Sequence, residues 1–348
     1  MNLKEFDRHV YAFVNDISRR KIVRSHDVAV KTVKFLKSVI VEANYHKADE
    51  LISLVSGIGK KLVQLLPHQP TVENMVHRIL KIIRDEYVAG QKDKLEEVDP
   101  QESLHKIVTM GGDHEDYMKT VPDLVGSVID HVAEFEAELD ISTENIAAQA
   151  SEHIHSNEII MTLGKSTAVE VFLKSAAKTR KFEVIVAECA PYCKGHELAV
   201  SLGNSKIQTT LISDAAIFAI MSRVNKVIIG THTVMANGGL RAISGSHIMA
   251  LAAKHYSVPV FVLAPMYKLS RHYICSYDQH AFNIYESPEG VLNYSDGDLA
   301  AKVRAYNPVF DYVPPELVTL FISNVGGHSP SYIYRLISEL YHPDDNEL

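Results

Sequence analysis

Ile159-Ile160-Met161-Thr162-Leu163-Gly164-Lys165-Ser166-Thr167 is the stretch on which the reading of the fold turns. A short apolar run passes directly into Gly-Lys-Ser, which reads as a strand turning sharply into a helix. Similar runs follow at Val184-Ile185-Val186, Thr209 to Ile212, Val227-Ile228-Ile229 and Val260-Phe261-Val262-Leu263. They are continuous rather than alternating. Such runs predict strands buried on both faces, as in a parallel sheet covered by helices. The gaps between them can hold right-handed crossover helices. Residues 155–348 are therefore read as a Rossmann-like α/β domain.

Upstream the period is helical. Leu51, Val55, Ile58, Leu62 and Leu65 recur at spacings of three and four, as do Val72, Val76, Ile79 and Ile83. Val125, Val128, Val132, Phe135 and Leu139 give a third one-sided stripe, and Val28, Thr32, Phe35, Val39 and Ala43 a fourth. Pro67 and Pro70 separate two of these helices. The polar, acidic stretch 90–116, with Gly111-Gly112, reads as a long loop. Residues 1–154 thus form an all-helical domain ahead of the α/β domain, with no internal repeat.

The 348 residues are 46% hydrophobic and 22% charged, which excludes a disordered chain. No apolar run reaches the ~18 residues of a membrane helix, and Met1 to Asp7 holds charges of both signs and no signal-like segment. The three cysteines, Cys189, Cys193 and Cys275, include no Cys-x-x-Cys pair. That argues against a disulfide framework or a structural zinc site and for a reducing, cytoplasmic location. No metal and no cofactor are expected. A net charge of −8 disfavours a broad nucleic-acid surface. The acidity is concentrated: residues 51–150 carry nine Lys/Arg against eighteen Asp/Glu.

Ligands of open parallel sheets bind beyond the carboxyl ends of the strands, and three loops fall there. The first, Thr162 to Thr167, lacks the earlier glycine of a nucleotide P-loop, since Ile159 stands in its place. It reads as a tight turn with Ser166 or Thr167 capping a helix, or as a phosphate cradle at that helix terminus. The second is Glu188-Cys189-Ala190-Pro191-Tyr192-Cys193-Lys194-Gly195-His196-Glu197. Cysteine near histidine suggests a nucleophile, but nothing guarantees a base within reach, and buried structural cysteine is the plainer reading. Glu188 could bind a ligand or satisfy backbone amides. The third, Gly230 to Gly239, holds glycines that would let backbone approach a ligand or pack against a neighbouring loop. No Gly-x-Gly-x-x-Gly occurs, so dinucleotide chemistry is not indicated.

Longer motifs carry a resemblance. Asn307-Pro308-Val309-Phe310-Asp311-Tyr312-Val313-Pro314-Pro315-Glu316 is similar to a signature of a family with two branches. One holds the alpha, beta and delta regulatory subunits of eukaryotic translation initiation factor 2B. The other holds isomerases acting on methylthioribose 1-phosphate and ribose 1,5-bisphosphate. Val186-Ala187-Glu188-Cys189-Ala190-Pro191, the run from Ala215 to Gly230, and the ending from Gly326 to Asp345 resemble the beta-type branch. The isomerases need an acid/base pair at the sugar carbons. By the resemblance their thiol position falls on Gly164, their aspartate on His232, and their phosphate-binding arginine on Ala190.

The resemblance therefore implies a non-catalytic regulatory subunit of a decameric guanine-nucleotide exchange factor for initiation factor 2. Its partners would be the alpha, gamma, delta and epsilon subunits, delta being the nearest and meeting it through the α/β domain. The helical domain would help sense phosphorylation of the alpha subunit of initiation factor 2. Arg78, Lys81 and Arg84, on the exposed side of one helix, are candidate contacts or a solvated face. Gly164, Lys165, Ser166, Thr167, Glu188, Cys189, His232, Asn237 and Gly238 would line a vestigial sugar-phosphate pocket. No nucleic acid or membrane is implied. The alternative is an isomerase with shifted catalytic residues, Cys189 and His232.

Overall fold

The computed structural model describes residues 3–345, apart from 20, 23, 44, 46, 93–116 and 274–282. The chain forms two compact units, Met1–Asp140 with Ser338–Leu348, and Ile141–Ile337. The division falls inside a helix, ahead of the change of period near residue 155. The last residues belong with the helical unit rather than the α/β unit.

The helical unit contains α1 (Leu3–Ser18), α2 (Ser25–Ala43), α3 (Ala48–Leu65), α4 (Pro70–Lys92) and the first part of α5 (Leu124–Ala148). Leu66–Gln69 breaks the chain, and Pro70 opens α4, where its missing N–H leaves no helical bond unmade. The sequence predicts one apolar stripe on α4. The structure buries far more of it: Val72, Met75, Val76, Ile79, Leu80, Ile82, Ile83 and Tyr87 are all essentially inaccessible, and so are Thr71, Asn74 and His77. This helix is the centre of its unit, so polar side chains on its other faces are enclosed as well. α4 continues to Lys92, past the start of the loop expected from residue 90; the rest of that expected loop, residues 93–116, lies outside the described residues.

The α/β unit is built on a seven-stranded sheet in the order β10-β9-β7-β4-β1-β2-β3. Its strands are β1 (Ile159–Leu163), β2 (Glu183–Ala187), β3 (Gln208–Ile212), β4 (Lys226–Gly230), β7 (Val260–Leu263), β9 (Leu320–Ser323) and β10 (Gly326–His328). All neighbours pair in parallel except the terminal β9–β10 hairpin. Ile160, Val184, Val186, Ile228, Leu263 and Ile322 from the sheet pack with Val169, Phe172, Leu173, Leu198 and Leu202 from α6 (Thr167–Ala176) and α7 (Gly195–Asn204). The expectation of strands buried on both faces fails for β3. As an edge strand it leaves Gln208, Thr210 and Leu211 exposed.

A second sheet, β5-β6-β8, was not legible as strands. Thr233–Val234 and Leu240–Ile243 pair as a hairpin, and Phe310–Val313 joins antiparallel to Leu240–Ile243. Half of the third predicted loop is therefore strand and hairpin turn. Strand order reverses between β1 and β4, so their carboxyl ends open a crevice at the switch point of the sheet.

Candidate functional site

Three strand ends meet at that crevice. β1 delivers Gly164, in the left-handed region at φ +59°. A side chain there would place its Cβ 3.1 Å from the Cβ of Cys189 and 3.4 Å from its Sγ. Gly164 is thus fixed by backbone conformation and by the cysteine that occupies the adjoining space. Ser166 stands at the N-cap of α6 but makes no side-chain cap bond; its hydroxyl lies against the missing side chain of Gly230, and Thr167 begins the helix. Lys165 pairs at 2.7 Å with Glu197 on α7. The lysine of the apparent phosphate motif therefore already has a carboxylate partner.

After β2, Cys189 adopts φ +60° and is buried. Asp214 holds this turn: its two oxygens accept the backbone N–H groups of Cys189 at 2.9 Å and Ala190 at 2.7 Å. The Cys189 thiol faces the Ser244 carbonyl at 3.8 Å. Burial, reinforced by the nearby Asp214 charge, pushes the thiol up to about 12, so it remains protonated at neutral pH and cannot act as a ready nucleophile. Glu188 lies apart from it, its carboxylate 3.5 Å from the His196 ring.

Beyond β4, His232 donates its backbone N–H to the Arg241 carbonyl, and its Nδ1 shares a hydrogen bond with the Thr233 hydroxyl at 2.9 Å. Its ring packs on Phe310, which also carries the Arg241 guanidinium at 4.3 Å. Burial depresses the imidazole to about 3, and the charges of Arg241 and Lys268 act in the same direction. Lys268, itself lowered to about 8 by burial, donates at 2.7 Å to the Thr231 carbonyl. Arg241 is likewise lowered to about 10 by burial. A histidine in this setting is neutral and a poor proton acceptor near pH 7. Neither member of the pair Cys189 and His232 is poised for proton transfer.

Asn237 and Gly238 form the hairpin turn. The Asn237 side chain accepts from Gly239 N–H at 2.9 Å and donates to the Tyr312 hydroxyl at 3.0 Å, while Gly238, at φ +80°, lies against the Pro330 carbonyl.

The family model described as the initiation factor 2 subunit family matches residues 21–330. The chain belongs to the initiation factor 2 subunit family. Over 96% of its length and 95% of the relative's, it is 41% identical to translation initiation factor eIF2B subunit beta of Dictyostelium discoideum. Over 61% of its length and 67% of the relative's, it is 31% identical to ribose 1,5-bisphosphate isomerase of Archaeoglobus fulgidus. Among solved structures, a chain of the tetrameric eIF2B-beta2-delta2 complex from C. thermophilum superimposes with a TM-score of 0.71 at 25% identity, covering 97% of this chain and 95% of that one. The helical region followed by a mostly parallel sheet is thus the fold of this family.

Its Asn-Pro-x-Phe-Asp stretch proves to be a structural clamp. Asp311 accepts from the N–H groups of Gly245 at 2.7 Å and His247 at 3.2 Å, securing the start of α9 (Ser246–His255), which packs beside α8 (Ile217–Met221). Asn307 donates to the Ser287 carbonyl at 3.0 Å and to the Tyr192 hydroxyl at 3.1 Å. Asp214, Lys268 and Arg241 were missed as members of the site. A carboxylate just beyond β3 was the available signal for the first; the other two come from distant segments that carry no motif.

In the helical unit the expected exposed basic face on α4 is only partly exposed: Arg78 and Lys81 are half-buried and Arg84 is enclosed. Arg84 is buried, pairs with Asp345 at 2.6 Å and stacks over Tyr117 at 4.8 Å. Lys81 donates to the Glu339 carbonyl, and Arg78 lies 5.4 Å over the Phe135 ring. The C-terminal segment covers this side of α4, which one helix's periodicity cannot reveal.

Proposed function

We propose that this chain is a non-catalytic, beta-type regulatory subunit of the exchange factor that acts on translation initiation factor 2. The observation that carries the reading is the state of the crevice. Where the isomerase branch has a thiol, Gly164 carries none, and its left-handed backbone and tight contact with Cys189 disfavour any side chain. Where it has a carboxylate, His232 is held neutral among cationic neighbours. The near full-length likeness to a beta subunit supports the same assignment.

Its partners are the other subunits of that factor, with a delta-type subunit the nearest. The α/β unit supplies a suitable surface: Phe218, Ile248, Leu251 and Tyr256 are large, apolar and exposed, and Phe218 packs on the rings of His255 and Tyr256 at 5.1 and 5.3 Å. Arg84 is taken up in its buried pair with Asp345, whereas Arg78 and Lys81 keep part of their side chains accessible and remain candidate contacts to the alpha subunit of initiation factor 2. No helix among the described residues is long and apolar enough to cross a membrane, and a cytosolic location accords with translation.

Affinity purification of the tagged chain from its own cells, with mass spectrometry of what accompanies it, tests the reading. Recovery of delta, gamma and epsilon subunits, together with no turnover of ribose 1,5-bisphosphate or methylthioribose 1-phosphate, is expected. Turnover that is lost on Cys189→Ser would instead establish the isomerase.

A further inference from the structure

The turn after β2 also gathers three metal-ligating side chains, apart from the Cys189 thiol. The donor atoms of Glu188, Cys193 and His196 all lie within 4.8 Å of one another, and the carboxylate and imidazole of this group stand 3.5 Å apart. They are an oxygen, a sulfur and a nitrogen, the mixed donor set that zinc accepts. Cys193, left-handed at φ +49°, lies in the turn just ahead of α7, and His196 stands in the first turn of that helix. Glu188 comes in from the strand end.

The backbone that presents them is fixed before any ion arrives. Cys193 N–H donates to Cys189 O at 2.9 Å, His196 N–H to Cys193 O at 3.0 Å, and Gly195 N–H to Glu188 O at 3.0 Å. Gly195 has to be glycine for this: a Cβ there would meet the Ala187 carbonyl and come within 2.9 Å of Glu188 Cα. That close approach seats the start of α7 directly on the end of β2 and brings His196 over Glu188. The site is reachable from solvent, with side-chain exposures of 28% for Glu188 and 52% for His196. Tetrahedral zinc bonds of about 2.0–2.3 Å require donors somewhat nearer to one another than these. Rotation of the exposed His196 side chain and the part-exposed Glu188 side chain can supply that closure.

We propose that Glu188, Cys193 and His196 form a binding site for a divalent transition cation with zinc's ligand preference, leaving a fourth position open to water or to a partner's side chain. Binding displaces the Cys193 thiol proton to solvent, so the sulfur coordinates as thiolate. Cys189, four residues away, takes no part, because its thiol is directed to the Ser244 carbonyl.

The full chain, freed of metal with a chelator, can be titrated with zinc alone against a chromophoric competitor, and with cobalt(II) as a spectroscopic stand-in. One zinc per chain with a dissociation constant of about 1 µM or tighter is expected. Cys193→Ser, His196→Ala and Glu188→Gln should each weaken binding about tenfold or more, and Cys193→Ser should abolish the thiolate-to-cobalt charge-transfer band that Cys189→Ser and Cys275→Ser preserve. X-ray absorption of the zinc-loaded native chain should show one sulfur neighbour, a readout independent of whether any variant folds. Absence of saturable zinc binding in that range, affinities unchanged in all three variants, or a coordination shell with no sulfur or more than one would overturn the proposal.

Discussion

Gly164 is the residue at which scaffold and enzyme part. Its φ of +59° and the 3.1 Å approach of Cys189 act together against any side chain. Gly164→Ala should lower stability by about 2 kcal/mol, since a left-handed non-glycine residue alone costs roughly 1–2 kcal/mol; chemical denaturation measures it. Gly164→Cys, which writes the isomerase residue back, should be at least as destabilised and should yield no turnover of either sugar phosphate. The cysteines make a second prediction. With its thiol pushed up to about 12, Cys189 is thiolate in only about one molecule in ten thousand at pH 8. Iodoacetamide followed by peptide mass spectrometry should therefore label the part-exposed Cys193 well before Cys189, and equal rates would contradict the burial described here. His232 adds a pH dependence. Its folded value of about 3 lies below the ordinary 6.5, so the unfolded chain binds the extra proton between those limits, and stability falls as pH drops from about 6.5 towards 3. Lys268, lowered to about 8 from 10.5, acts with the same sign at higher pH: stability falls as pH drops from about 10.5 to 8. Denaturation at pH 7 and pH 4.5 should show a loss of about 2 kcal/mol that shrinks in His232→Phe, because a phenyl ring takes up no proton.

At the scale of elements, legibility followed how local the cause was. Four of the five parallel runs declared themselves because a strand buried on both faces must be continuously apolar; β3, exposed at the sheet edge, was found by its spacing and β-branched residues. β5, β6 and β8 did not, because Thr233–Val234 and Phe310–Val313 are short and find their partners far along the chain. Gly164 and His232 could be placed by motif. Asp214 offered only its place just beyond β3, and Arg241 and Lys268 offered no signal, since tertiary packing alone brings those two to the strand ends. The misreading of α4 has the same origin: its stripe was real, but the segment that covers its opposite side lies more than two hundred residues later. This converts Arg84 from a surface contact into half of a buried pair. Removing one partner of such a pair strands the other charge, at a cost of about 3–5 kcal/mol. Arg84→Ala and Asp345→Ala should each destabilise the chain by that order. The double variant should cost clearly less than their sum, because the second removal relieves the charge left by the first. Additive losses would mean that the 2.6 Å contact carries no coupling.

For the whole molecule, the question is which surface a partner covers. Net charge of −8 keeps the chain soluble but selects no face. Exposed apolar side chains do select one. On α9, Ile248 and Leu251 are three residues apart and His255 four further on, so they share a helical face; Phe218 from the neighbouring helix extends that face by packing, tilted, against His255. Because Ile248 and Leu251 are exposed in the chain itself, charge placed there should change its own stability by no more than about 0.5 kcal/mol. In an interface the same charge would be buried without a counter-ion, which costs several kcal/mol. Ile248→Asp with Leu251→Asp should therefore leave the thermal transition of the isolated chain in place while reducing recovery of a co-expressed delta-type subunit at least tenfold. Undiminished recovery would move the partner to another surface. Loss of partner together with a lowered transition would show that the face supports the fold rather than the assembly.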